Sequence, residues 1–386
     1  MRGKYSIFAR EEYEARLERA QALMQAQSID ALLITAEANY FYFTGHRTHS
    51  PWSTFTRPHV AVLTRDGGAA MIVHCFTRPE AESRSFVADV REYGSLVEDA
   101  VPQIKQALSD MGLASAVIGC ELGYEQRLGL PMRAWEQIVS AFPRAKFVDA
   151  SELLWRLRVV KSEAEVERLR KACQATSRAF EVCYSQVREG WTEEQVAVVM
   201  SKAMLDAGAE APGFNIICSG EDDYQRISAR PTGRALRKGD MLWVDASAVF
   251  DGYWSDFCRA AVPGGPSPEQ VRLQRIAHEA TMAAIEAIKP GVPVSMIAET
   301  CARQLGKHGF NLTFDAGRCG HGLGLMSTEP PHVATYDPTI LEEGMVITVE
   351  PGIVNEEGVF CIEENVAVTR DGFEILSGAS REIYTI

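Results

Sequence analysis

Trp243-Val244-Asp245-Ala246-Ser247-Ala248-Val249-Phe250-Asp251-Gly252-Tyr253-Trp254-Ser255-Asp256-Phe257 places Asp251-Gly252 between residues that favour β structure. An Asp-Gly pair in that setting predicts a two-residue type I′ hairpin. Phe250 then pairs with Tyr253, Ser247 faces Asp256, and Asp245 becomes the diagonal neighbour of Asp256 on the same face. The two carboxylates converge on one spot. A second stretch, Val349-Glu350-Pro351-Gly352-Ile353-Val354-Asn355-Glu356-Glu357-Gly358-Val359-Phe360-Cys361-Ile362-Glu363, turns over Asn355 to Gly358 and pairs Val354 with Val359. That register sets Glu350 opposite Glu363. Like charges face to face on a sheet repel unless a cation lies between them, so a divalent ion is expected here.

Between the two hairpins lies Cys319-Gly320-His321-Gly322-Leu323-Gly324-Leu325, whose glycines let backbone crowd around an imidazole. Taken singly, each piece has a plain structural explanation. Roughly nine in ten isolated aspartate pairs at this spacing are solvated strand residues, and a histidine between glycines is usually part of a loop. Together, two hairpins whose registers align acids, each flanked by apolar strand residues, point to Asp245, Asp256, His321, Glu350 and Glu363 as metal ligands. Four carboxylates and one imidazole suit two divalent ions better than one.

At these residues the chain resembles the pita-bread metallohydrolases, the family of aminopeptidase P, prolidase, methionine aminopeptidase and creatinase. The resemblance runs through Asp245, Gly252 to Arg259, Gly320 to Leu325, Glu329-Pro330, Val349 to Gly352 and Ile362-Glu363. Upstream it continues through Asn39-Tyr40-Phe41-Tyr42-Phe43-Thr44-Gly45, Leu157 to Ser162 and Glu165. It implies an α/β (α+β) architecture: a creatinase-type N-terminal α/β domain over 1–155 and a C-terminal pita-bread (creatinase/aminopeptidase) domain over 156–386. It also implies two divalent ions on the five ligands, manganese first, with cobalt, iron or zinc as alternatives. A hydroxide bridging the ions would be the nucleophile, and Glu350 would move its proton to the leaving nitrogen. The implied activity is hydrolysis of an amide bond, of the Xaa-Pro peptidase type.

The same resemblance marks departures. Family peptidases usually carry a histidine in the loop before the first ligand strand and another shortly after the ligand histidine. Those positions are Ser228 and Thr328 here, and Cys361 stands where an arginine often precedes the last ligand. Hydroxyls of Ser228 and Thr328 are expected to donate to a developing oxyanion, more weakly than an imidazolium. His332 is a candidate replacement imidazole, and its plain alternative is a loop cap. Arg226 and Arg230 are candidates to grip a substrate carboxylate, or else to pair with ligand carboxylates. Tyr224, with Asp222 and Asp223, is expected to line the same loop. The altered shell leaves open a small-metabolite enzyme on the same fold, an ectoine-type hydrolase or a dimethylsulfoniopropionate-type lyase. A non-catalytic module that keeps metal for stability is the third reading.

Composition agrees with a globular enzyme. The 386 residues suffice for two domains, with 46% hydrophobic and 24% charged residues. A net charge of -13 argues against nucleic acid as partner, since such binding rests on neutralising phosphates. There is no apolar run of about 20 residues to span a bilayer. Met1-Arg2-Gly3-Lys4-Tyr5-Ser6 has no signal-peptide core, so a cytoplasmic protein without membrane partner is expected. Nine scattered cysteines without a Cys-x-x-Cys pair predict reduced, mostly buried thiols.

Periodicity predicts a helix over 9–28 with Tyr13, Leu17, Ala20, Leu23 and Met24 inward, then a strand over 31–35 and alternating elements to 149. Ser162 with Glu165, and Thr192 with Gln195, predict capped helix starts. Strands over 215–218 and 241–244 lead into the first hairpin, and helices over 267–288 and 293–306 follow. The repeated order helix, helix, hairpin hints at an internal duplication. The segment His46 to His59, rich in aromatic, imidazole and guanidinium groups, is either an ordered surface loop or a contributor to substrate selection and homodimer contacts. The expected partners are a small peptide or small-molecule substrate and a second copy of the chain.

Overall fold

A computed structural model describes residues 2–47, 57–94, 99–312 and 317–386. The chain divides into two compact units, Met1–Arg158 and Val159–Ile386, a few residues beyond the boundary expected at 155. Residues 48–56 of the His46 to His59 segment lie outside the described residues, so its suggested role in substrate selection finds no structural description here.

The first unit is built on a six-stranded sheet ordered β4-β3-β2-β1-β5-β6: Asp89–Tyr93, Ala69–His74, Val60–Thr64, Ala31–Ile34, Val117–Cys120 and Lys146–Asp149. Strand β1 is buried along its whole length, as a continuous apolar run is when both faces are covered. It pairs antiparallel with β2 and parallel with β5. Helix α1, Arg10–Ala26, buries Tyr13, Arg16, Ala20 and Met24. Leu17 and Leu23, expected inward, are half-buried, and Arg16 takes the inner position instead. A buried guanidinium needs partners. Arg16 donates to Glu12 at 3.0 Å and to the Tyr42 carbonyl at 2.8 Å, and stacks on the rings of Phe8 and Tyr42.

The second unit opens with helices Glu163–Gln186 and Glu193–Asp206, whose capping boxes on Ser162 and Thr192 are both formed. Strands β7 (Ala211–Ser219), β8 (Leu242–Phe250), β9 (Tyr253–Trp254) and β10 (Phe257–Val262) form a sheet with β18 (Tyr384–Thr385). Helices Pro268–Ile285 and Val294–Gly306 follow. A second five-stranded sheet is ordered β12-β11-β13-β16-β17: Glu329–Ala334, Arg318–Gly322, Val346–Val349, Glu364–Thr369 and Gly372–Ile375. The hairpin β14–β15, Gly352–Asn355 with Gly358–Cys361, stands between β13 and β16 in the chain. Two helices and a hairpin-bearing sheet thus occur twice, in the expected order. Among the described residues no helix is long and apolar enough to cross a membrane.

Candidate metal centre

Turn chemistry sets the first pair of acids. Asp251 and Gly252 both have positive φ, 49° and 85°, as a type I′ turn requires. Phe250 pairs with Tyr253 and Val249 with Trp254, and beyond a short break Ala246 pairs with Phe257 and Asp245 with Cys258 in the same register. Asp256 falls in that break, opposite Ser247, with Asp245 diagonal to it. The break is stabilised from outside the hairpin. Asn365 accepts the Asp256 N–H at 2.9 Å and returns a hydrogen bond to its carbonyl.

The second pair arises in the same way. Val354 pairs with Val359 and Gly352 with Cys361, while Val349 pairs with Glu364 and Val346 with Ala367. These two ladders are in step, and between them Glu350 and Glu363 face each other outside any ladder. His321 comes from β11. A Cβ at Gly320 would strike the Thr348 carbonyl, and one at Gly322 the Pro330 carbonyl, so both flanking glycines are needed for β13 and β12 to close on the imidazole.

One atom of each of Asp256, His321 and Glu363 lies within 4.8 Å of the others. His321 Nε2 stands 3.6 Å from Asp256 Oδ2 and 3.5 Å from Glu350 Oε1, and Asp245 shares a hydrogen bond with Asp256. His321 Nδ1 is 2.9 Å from the Gly322 carbonyl, which only accepts. The ring proton therefore sits on Nδ1 and the Nε2 lone pair faces the carboxylates, the tautomer a ligand needs. Burial, then the charges of Asp245 and Glu350, raises the Asp256 carboxyl well above the usual carboxylate range. Burial, then Glu350, Asp256 and Asp245, does the same to Glu363. Four crowded carboxylates beside a correctly oriented imidazole fit hard or borderline divalent ions.

The sequence reading left several supporting roles unassigned, although Arg259, Glu329 and Lys161 lie in the stretches that carry the resemblance. Arg259, fully buried, donates to the Glu363 carbonyl and to Glu364 Oε1, both at 2.8 Å, and to the carbonyls of Cys258 and Ala379. Glu364 is also bonded by Ser377 and by Arg381. Thr281 holds the Ile362 carbonyl, and Thr348 donates to Glu350 Oε1 at 3.3 Å. Glu329 is held by Lys161 at 3.3 Å and by the Met326 N–H, anchoring the turn that follows His321. The available signal was polarity at buried strand positions: Glu363-Glu364-Asn365 interrupts an otherwise apolar run.

His332 is the cross-strand partner of His321, on the same face of the ladder. Arg318 lies 3.3 Å from its Nδ1, and since a guanidinium only donates, the His332 proton sits on Nε2. Thr328 is half-buried in the turn just before β12. The loop residues have other engagements. The Tyr224 hydroxyl accepts the Met241 N–H at 2.8 Å within a hydrophobic cluster. Arg226 pairs with Asp223 at 3.3 Å and donates to the Arg230 carbonyl. Asp222, Ser228 and Arg230 are exposed. Among the described residues, none of Tyr224, Arg226, Ser228, Arg230 and Thr328 bonds a ligand side chain.

The model of metallopeptidase family M24 matches residues 167–370, and that of the creatinase/prolidase N-terminal domain matches residues 16–160. An Xaa-Pro dipeptidase of Pyrococcus horikoshii is 30% identical over 93% of this chain and 96% of its own. The crystal structure of a prolidase from Pyrococcus horikoshii superposes with a TM-score of 0.82 at 26% identity, over 96% of this chain and 99% of that one. An X-Pro aminopeptidase from Thermotoga maritima gives the same score, identity and coverage.

Proposed function

The chain belongs to metallopeptidase family M24, with a creatinase/prolidase N-terminal domain ahead of a pita-bread catalytic domain, and from that premise we propose that it hydrolyses Xaa-Pro peptides, dipeptides foremost. In this reading two divalent ions are held by Asp245, Asp256, His321, Glu350 and Glu363. The observation that carries it is the convergence of two acidic hairpins on His321 Nε2, at 3.6 Å from Asp256 and 3.5 Å from Glu350. The dipeptidase relative, matched along nearly its whole length, favours a peptide over a ring or sulfonium metabolite.

The ions, when bound, supply Lewis acidity: they polarise the scissile carbonyl and make water a nucleophile near neutral pH. Glu350 takes the proton released as water adds to the carbonyl carbon and delivers it to the nitrogen as the carbon–nitrogen bond breaks. Thr348 orients its Oε1. His332, with its proton on Nε2 and its backbone opposite His321, donates to the developing oxyanion in place of the family's usual histidines. Ser228 and Thr328 keep, in this reading, a weaker donor role, while Tyr224, Arg226 and Arg230 belong to the substrate-facing loop.

Manganese as the ion, a homodimer, and a cytoplasmic location complete the proposal. An oxygen-rich ligand set suits manganese. All nine cysteines are free and eight are buried, as suits a reducing compartment. The homodimer, with residues 1–155 serving substrate selection and dimer contacts, rests on the resemblance alone. The test is turnover by manganese-loaded protein of Xaa-Pro dipeptides, longer Xaa-Pro peptides and small cyclic or zwitterionic metabolites, with Asp256→Ala as control. Metal-dependent release of the amino-terminal residue, lost in the control, is expected. Intact peptides alongside a consumed metabolite would refute the peptidase reading.

A further inference from the structure

The first hairpin leaves Asp256 with an open edge. Ser255 donates its N–H to the Ala248 carbonyl at 3.0 Å, which makes Ser255 and Ala248 a hydrogen-bonded pair. In the next pair, Asp256 with Ser247, the N–H and C=O groups therefore turn away from the partner strand. The strand on that side, β18, reaches only Ala261 and Val262. Side chains complete what the ladder leaves. The Ala248 N–H goes to Ser255 Oγ at 2.9 Å, and the Ser255 carbonyl takes the Ser247 hydroxyl, so the peptide leading into Asp256 leaves the ladder. On the open edge Asn365 accepts the Asp256 N–H at 2.9 Å through Oδ1 and donates through Nδ2 to the Asp256 carbonyl. A primary amide offers an acceptor and a donor side by side, as a peptide group does. Asn365 thus acts on Asp256 as a one-residue strand.

Asn365 is itself fixed. It is fully buried in β16, opposite Thr348, and donates its N–H to Ser377 Oγ at 3.1 Å, while Oδ1 also accepts from Cys173 Sγ at 3.2 Å. It follows Glu363 by two residues, so one side chain ties the strand of Glu363 to the backbone of Asp256. Ligand atoms of Asp256, Glu363 and His321 lie within 4.8 Å of one another, and Asp256 also shares a hydrogen bond with Asp245. Asp256 is therefore the acid in touch with both the Asp245 side and the Glu363 side of the centre. Resting on the two-ion reading above, we propose that Asn365 is a positioning residue for the metal centre. By clamping the Asp256 backbone to the Glu363 strand, it sets the spacing at which Asp256 serves two ions rather than one. Without the clamp Asp256 stays with Asp245 on its own hairpin, and the Glu363 side loses a ligand.

Calorimetric titration of the chelated full chain with manganese reads the number of ions without any assay of turnover. The wild-type chain should take up two equivalents. Asn365→Ala removes both clamp bonds, and Asn365→Asp keeps the shape and the acceptor but sets an oxygen against the Asp256 carbonyl. Each variant should keep one tight equivalent and bind the second about tenfold more weakly or worse. Its electron paramagnetic resonance signal should change from that of a coupled manganese pair to that of an isolated ion. Val196→Ala, a core truncation in the helix Glu193–Asp206, controls for lost stability and should keep both equivalents. Should thermal melts show Asn365→Ala unfolded, the isosteric Asn365→Asp carries the test. Two equivalents at wild-type affinity in the folded variants would overturn the positioning role and leave the metal centre standing, and so would an equal loss of the second ion in Val196→Ala. A wild-type chain that binds fewer than two ions would overturn the two-ion reading, and this inference with it.

Discussion

Arg259→Met tests whether the support beneath Glu363 sets the stability of the catalytic unit. Arg259 is fully buried and makes its contacts to Glu364 Oε1 and to the carbonyls of Glu363, Cys258 and Ala379. Removing one partner of a buried ion pair costs about 3–5 kcal/mol, because the remaining charge has lost its counter-ion. Glu364 keeps Arg381, whose side chain is only partly buried, and Ser377, so the lower end, about 3 kcal/mol, is expected. Glu364→Gln alone should cost a similar amount, leaving the guanidinium without its carboxylate. The double variant should lose less than the sum, with a coupling of about 2 kcal/mol, since neither charge is then stranded. Urea melts of the chelated protein measure all three. Losses that add within about 0.5 kcal/mol would show that the pair is not energetically coupled, and the argument for Arg259 as the support of Glu363 would fail. In the metal-loaded protein, Arg259→Met should also weaken metal affinity, read by titration, because the Glu363 backbone loses its donor.

His332→Ala removes the donor proposed for the oxyanion and should lower kcat/KM about 100-fold on a good Xaa-Pro dipeptide. A change below about twofold across the pH profile would return His332 to a structural role. In the first unit, His46 and His59 face each other with ring centroids 5.1 Å apart. Burial, then neighbouring positive charge, lowers His46 to about 3 and His59 to about 4. A depressed folded value means that the unfolded chain binds the proton first. The contribution of these histidines is therefore complete above pH 6.5, the ordinary imidazole value, and shrinks as pH falls toward about 3. Each histidine should make stability fall by about 1.4 kcal/mol per pH unit in that window. His46→Gln should remove roughly half of the slope that the two histidines give together in urea melts between about pH 4.5 and 6, and an unchanged slope would assign acid sensitivity to other groups.

What was legible in the sequence was local. The Asp251-Gly252 turn, the Asn355 to Gly358 turn and the capping pairs at Ser162 and Thr192 act over a few residues, where backbone sterics and nearby hydrogen bonds decide the outcome. Register then follows by counting, which is why Glu350 faces Glu363 and Asp256 lies diagonal to Asp245. The glycines around His321 were visible for the same reason, as positions where no Cβ fits. Tertiary structure decided the rest. Asn365 reaches back 109 residues to Asp256, and Arg259 reaches Ala379 across 120; contacts at such separations depend on how helices and sheets pack, which no local preference encodes. Arg16 displaced Leu17 and Leu23 from the inner face of the first helix because Glu12, Tyr42 and Phe8 together satisfied its charge. The Tyr224 hydroxyl found its partner in the Met241 N–H, 17 residues on, which only the folded chain brings near, whereas Arg226 pairs with Asp223 three residues before it. The five candidate ligands were named from residue types and turns, and the packing of two hairpins brought them within reach of one another.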